Sequence, residues 1–235
     1  MSVSRPYQPL LLRLLHGLTG LCAIAAIVTA YWTYTTYDNR WGGLPLPRWS
    51  AIEGIHGTFG LWTLLLFPVF AIYALRRGQR RLLQPESGRH LQLIGKPVWW
   101  YTLHRTANSL MLLALTVALF SGKMMGSTWL PMGELTHVWY TIHLLSWVML
   151  VAALALHLLL SAKIGGTSLL LSIVDWRFRQ PDHPRHWWPQ IVTQQQTWSW
   201  GAIALWFQAL TAYKVTEFSI LLSLAIAWVL PMFKY

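Results

Sequence analysis

Long apolar runs alternate with short polar stretches over the first two thirds of the chain. Four of these runs are long enough to cross a bilayer core as helices, which takes about 20 residues. Because lipid satisfies no backbone hydrogen bonds, such runs indicate helices that satisfy their own. The pattern therefore predicts an all-α integral membrane protein, a four-helix transmembrane bundle with spans over residues 10–32, 51–75, 98–125 and 135–162.

The C-terminal part of the chain is less regular. After a Pro-rich linker, residues 200–213 are apolar but too short to cross, which predicts an interfacial helix. Residues 215–233 are about long enough for a fifth transmembrane helix, although they contain Glu217. We therefore predict a four-helix membrane domain over residues 1–165 and a C-terminal extension over residues 166–235.

Composition and charge support a membrane protein. The 235 residues are 55% hydrophobic and only 11% charged, and the formal net charge is +11. This charge does not indicate nucleic-acid binding, because the basic residues cluster beside the ends of apolar runs, where they set membrane orientation. The positive-inside rule places these clusters and the N-terminus in the cytoplasm, in a bacterial inner or other energy-transducing membrane. The clusters contain Arg76, Arg77, Arg80, Arg81, Arg89 and Lys96 before the third span, and Lys163, Arg177, Arg179 and Arg185 after the fourth.

Four histidines lie inside the predicted spans. His143 and His157 are fourteen residues apart on one helix, which corresponds to about 21 Å along its axis and nearly the same face. The predicted orientation places His16 at the depth of His157, and His56 at the depth of His143. Because an imidazole is costly to hold in hydrocarbon, two pairs at matched depths indicate a function.

Haem is the metal group that this pattern favours. Zinc sites need three or four clustered ligands, whereas haem iron takes one imidazole on each face. Cys22 is the single cysteine and no Cys-x-x-Cys-His motif is present, so both haems would be bound non-covalently. Gly20, Gly57 and Gly60 would leave room for flat porphyrins. The alternative is that the histidines only form hydrogen bonds between helices.

These residues resemble the bacterial cytochrome b561 family, over roughly residues 5–165. The resemblance implies a four-helix bundle with two b haems that carries electrons between quinone and a partner, with His16, His56, His143 and His157 as iron ligands. The features that carry it are Arg13-Leu-Leu-His16, Ile55-His56 with Gly60, Trp139-Tyr-Thr-Ile-His143, and the step of fourteen residues to His157.

Further polar residues lie near the cytoplasmic ends of the predicted spans. His104 could replace His16 as a ligand. His104, Arg105 and Asn108 could bind a haem propionate or a quinone carbonyl, or they could cap the helix end. Arg13 could pair with a propionate or extend to lipid headgroups.

The predicted function is electron transfer across the bilayer by a quinone-linked oxidoreductase or electron-carrier subunit. Iron would perform the redox chemistry, so we predict no catalytic side chain. The expected partners are the lipid bilayer, the quinone pool and a redox protein. One alternative is a cytochrome b anchor subunit of a larger hydrogenase- or dehydrogenase-like complex, and another is a haem-free structural or transport protein.

Overall fold

The computed structural model describes residues 6–125, 135–177, 179–187, 189 and 212–229. Within these ranges the chain forms helices and contains no strand. The long helices are α1 (Leu10–Tyr37), α2 (Ile52–Arg76), α4 (Pro97–Met125) and α5 (Val138–Leu171). Each is long and apolar enough to cross a membrane, which confirms the predicted four-helix membrane protein. A short helix, α3 (Ser87–Leu91), lies between α2 and α4, and α6 (Ala212–Val229) is the last described helix.

All four helices extend beyond the predicted spans, α2 and α4 by one residue and α1 and α5 by more. α1 continues to Tyr37, beyond the apolar run. Within this added part the Thr33 hydroxyl donates to the carbonyl of Thr29 at 2.8 Å, which satisfies the hydroxyl inside the helix. α5 continues to Leu171, but Gly166 interrupts it with φ 61° and ψ −162°, a conformation that favours glycine. The chain therefore changes direction at the predicted boundary between the membrane domain and the extension.

Antiparallel neighbours pack in two pairs, α1 on α2 and α4 on α5. The fully apolar core lies where α2, α4 and α6 meet, around Phe67, Leu112 and Leu224. By contrast, α1 and α5 approach each other at few positions along their length. The bundle is therefore closely packed on one side and open between α1 and α5.

The last described helix packs on α4 and α2. Its Glu217 carboxylate accepts a hydrogen bond from Arg76 Nε at 2.8 Å, with only 8% of the Glu217 side chain exposed. This ion pair explains how the helix accommodates an acidic residue. α6 begins three residues before the predicted fifth span, whose crossing of the membrane stays a prediction. Residues 200–211 of the predicted interfacial helix lie outside the described residues.

The antiparallel arrangement gives the bundle two distinct ends. We call the end that carries the α2–α4 connection, residues 77–96, and the segment after α5 the basic end. We call the end that carries the α1–α2 connection, residues 38–51, the loop end. His16 is in the second turn of α1 and therefore near the basic end, whereas His56 is near the start of α2 and the loop end.

Candidate cofactor site

The first histidine pair joins α1 to α5 near the basic end. The ring centres of His16 and His157 are 6.1 Å apart, and the ring planes meet at 35°. Phe70 of α2 places its ring at right angles to His16, with 5.8 Å between the ring centres. The two imidazoles thus face each other across the space between α1 and α5. We call them the basic-end pair.

The second pair joins α2 to α5 near the loop end. The ring centres of His56 and His143 are 6.0 Å apart, with 68° between the ring planes. Both histidines lie about one turn inside the start of their helices. We call them the loop-end pair.

The separations within both pairs are compatible with two imidazoles on one iron atom. A metal–imidazole bond is about 2 Å long, and the ring centre lies about 1.2 Å behind the bonded nitrogen. Two ligands on opposite faces of a haem therefore place their ring centres roughly 6 Å apart. Within the described ranges, no group of three or more His, Cys, Asp or Glu side chains forms a direct metal site. The donor set fits two bis-histidine haems.

Hydrogen bonds orient the loop-end pair. His56 Nδ1 lies 3.1 Å from the carbonyl oxygen of Ala26, and His143 Nδ1 lies 2.9 Å from that of Ala118. Because a carbonyl only accepts, both Nδ1 atoms must carry the proton, which leaves Nε2 with a free lone pair for a metal. Hydroxyl oxygens lie near the same two atoms, from Thr29 at 3.3 Å and Ser121 at 3.2 Å.

In the basic-end pair, the hydrogen-bond acceptor for the histidine Nδ1 is a side chain instead of a backbone carbonyl. His157 Nδ1 lies 2.8 Å from Asn108 Oδ1, and Asn108 Nδ2 donates to the carbonyl oxygen of Arg81 at 2.8 Å. Both ends of the Asn108 amide are therefore bonded to the protein. This arrangement holds the His157 ring with its Nε2 available as a ligand atom.

His104 lies beside the basic-end pair. Its ring centre is 5.2 Å from that of His157 and the planes are nearly parallel, at 22°. Its Nε2, 3.0 Å from Ser161 Oγ, already has a hydrogen-bond partner. Both the shorter separation and the occupied nitrogen favour His16 over His104 as the residue opposite His157.

A cavity of about 390 Å³ surrounds the basic-end pair, a volume typical of small-ligand sites. Gly20 lines it, and a Cβ atom at this position would have no other heavy atom within 4 Å. The Arg81 side chain also lines it and donates to Gln8 Oε1 at 2.6 Å. Arg81 is an exposed residue, yet desolvation on the cavity side lowers its pKa, so an anionic group in the cavity would stabilise the charged guanidinium.

The remaining predicted site residues have weaker links to the histidine pairs and the cavity. Arg13 is only 5% exposed, does not line the cavity, and donates from Nη2 to the carbonyl oxygen of Arg177 at 2.7 Å. Arg105 is half-buried and is also absent from the cavity wall. A Cβ atom at Gly57 or Gly60 would meet no heavy atom within 4 Å.

Two residues at the site were not predicted from the sequence. Arg81 belongs to a basic cluster that indicated membrane orientation, and nothing in its spacing distinguishes it from its neighbours. Gly122 packs against His143, because a Cβ atom there would lie 3.2 Å from His143 Cε1. The one sign of this role in the sequence is that Gly122 follows Ser121 near the end of the third predicted span.

One comparison with known proteins gives a match. The family model described as prokaryotic cytochrome b561 matches residues 7–176, which include all four long helices and both histidine pairs. No curated protein and no solved structure matches the chain.

Proposed function

The chain belongs to the prokaryotic cytochrome b561 family, and from that premise we propose that it moves electrons across the membrane through two haem b groups. The family implies electron transfer through haem b in a multi-pass membrane protein. The observation that carries the two-haem proposal is the pair of ring-centre separations, 6.1 and 6.0 Å. The ligands would be His16 with His157, and His56 with His143.

The protein would hold the two haems in position and provide their surroundings. A haem held by two histidines would supply a one-electron redox couple. The fourteen residues between His143 and His157 separate the two sites by about 21 Å, most of a bilayer core about 30 Å thick. At the basic end, Arg81 would hold a haem propionate.

We place quinone exchange at the basic end, on the cytoplasmic side that the basic clusters indicate. In support, His104 also lines the cavity there, and an imidazole N–H can donate to a carbonyl. Coupling to quinol or quinone would make the protein an oxidoreductase or a subunit of one.

A haem assay with single substitutions tests the two-haem proposal. We expect two extractable b haems per chain in the purified protein. His16→Ala or His157→Ala should remove the basic-end haem alone, and His56→Ala or His143→Ala the loop-end haem alone. His104→Ala is the matched control and should keep both haems. A wild-type ratio near one, or loss of a haem in the control, contradicts the assignment.

A second role is that of the cytochrome b anchor of a larger complex. Haems that are reduced by quinol in the purified chain alone support the first role. Haems that are reduced only after addition of a redox protein support the second.

A further inference from the structure

The distance between α1 and α5 must be fixed by something other than close packing. The basic-end pair spans these two helices, yet they approach each other at few positions. A haem site tolerates errors of only about 0.5 Å in the position of its ligands. The contacts that join α1 to α5, or to the segment after α5, therefore set the geometry of the site.

The first contact lies at the loop end. Asp38, directly after α1, accepts a hydrogen bond at 2.5 Å from the hydroxyl of Tyr140, which precedes His143 by three residues on α5. The Asp38 side chain is only 1% exposed, and it also binds Arg40 Nε at 2.7 Å. Arg40 in turn donates from Nη2 to the carbonyl oxygen of Leu135 at 2.6 Å, just before α5.

The second contact lies at the basic end. Asp182, in the segment after α5, accepts from the hydroxyl of Tyr7 at 2.6 Å and from the backbone N–H of Leu10. Leu10 is the first residue of α1, so a carboxylate more than 170 residues away satisfies one of the free N–H groups at its start. The guanidinium of Arg179 lies over the Tyr7 ring, 4.3 Å from its centre.

A third contact lies between the two ends. Trp147 of α5 donates from Nε1 to the carbonyl oxygen of Ile27 in α1 at 3.0 Å. Its ring stacks on Tyr31, with 6.0 Å between centres and 15° between planes. α1 and α5 are thus joined near the middle as well, which divides the helix pair into two segments. One segment holds His16 and His157, and the other holds His143, whose partner His56 belongs to α2.

We propose that the bonds Asp38–Tyr140 and Asp182–Tyr7 act as two clasps at the two ends of α1. The first holds α5, and with it His143, against the packed α1–α2 pair that carries His56. The second holds the start of α1, and with it His16, against the segment that follows α5. The inference rests on the proposed two-haem function. The four residues are positioning residues, since none belongs to a histidine pair. Because the Trp147 contact separates the two segments, each clasp acts on its own haem.

Removal of single hydroxyl groups tests the clasps. Tyr140→Phe should release the loop-end haem about tenfold faster to a haem-scavenging apoprotein and leave the basic-end haem unchanged. Tyr7→Phe should do the reverse. The matched control is Tyr37→Phe, because the Tyr37 hydroxyl donates to the carbonyl oxygen of Ser50 at 2.8 Å, within the α1–α2 connection rather than to α5.

A spectroscopic measurement separates positioning from general destabilisation. The electron paramagnetic resonance signal of a ferric bis-histidine haem depends on the angle between the imidazole planes, so each Tyr→Phe variant should shift the signal of its nearer haem alone. Asp38→Asn and Asp182→Asn keep an accepting oxygen and should retain the wild-type signals, whereas Asp38→Ala and Asp182→Ala should not.

Equal effects on both haems, or no effect on either, would overturn the clasp proposal. A wild-type protein that lacks two haems would instead overturn the proposed function, and this ratio is measured before any variant is compared. The two failures are therefore distinguishable.

Discussion

Asn108 is a sensitive point of the basic-end site, and its replacement by leucine, which has nearly the same shape, should perturb that site alone. The change removes the acceptor 2.8 Å from His157 Nδ1 and the donor to Arg81. A buried N–H group left without a partner costs about 1–3 kcal/mol. This cost corresponds to roughly 5–150-fold weaker haem retention, a range that includes the 10–100-fold typical of outer-shell partners of metal ligands.

The same substitution should raise the reduction potential of the basic-end haem. Hydrogen bonding at Nδ1 makes an imidazole more electron-donating, which stabilises ferric iron, so loss of the bond favours the ferrous form. One hydrogen bond contributes a net stabilisation of about 0.5–1.5 kcal/mol. If all of it were lost from the ferric state alone, the reduction potential of the haem would rise by at most about 65 mV. Asn108→Asp should lower the potential, because a carboxylate is the stronger acceptor.

Redox titration of the visible haem bands in purified protein measures these shifts. The loop-end haem is the internal control, because its histidines bond to the backbone carbonyls of Ala26 and Ala118. Equal potentials in wild type and both variants, or a shift confined to the loop-end haem, would refute the reasoning.

Three further predictions concern other features of the bundle. The ferric loop-end haem should give the more anisotropic electron paramagnetic resonance signal, because its ring planes meet at 68° rather than 35°; indistinguishable signals would contradict the plane angles. Arg81→Leu should lower the potential of the basic-end haem in a redox titration, because a nearby cation favours the reduced form, and Arg80→Leu, which changes a residue outside the cavity wall, should not. Arg76→Ala should destabilise the protein by about 2 kcal/mol, between the values for exposed and buried pairs, because Glu217 stays buried without its partner; an unchanged thermal unfolding midpoint in detergent would contradict this.

The sequence by itself was enough to predict four helices long and apolar enough to cross a membrane, and the position of each histidine along its helix. Apolar length decides whether a segment can cross a bilayer, and a helix rises by a fixed amount per residue, about 1.5 Å. The positions of His16, His56, His143 and His157 in the sequence therefore fix their depths once the spans are known. The helix ends were predicted less well, because polar residues such as Thr33 continue a helix after its apolar run has ended.

The tertiary structure decided which side chains face one another at a given depth. That choice depends on how each helix is rotated about its axis and on what it packs against, neither of which appears in hydropathy. His104 and His16 lie at similar depths, yet only His16 faces His157 with a ring separation suited to a shared iron. The bond from Leu10 to Asp182 joins residues 172 positions apart, and the carbonyl oxygens that orient the loop-end pair belong to alanines, whose side chains give no sign of that role.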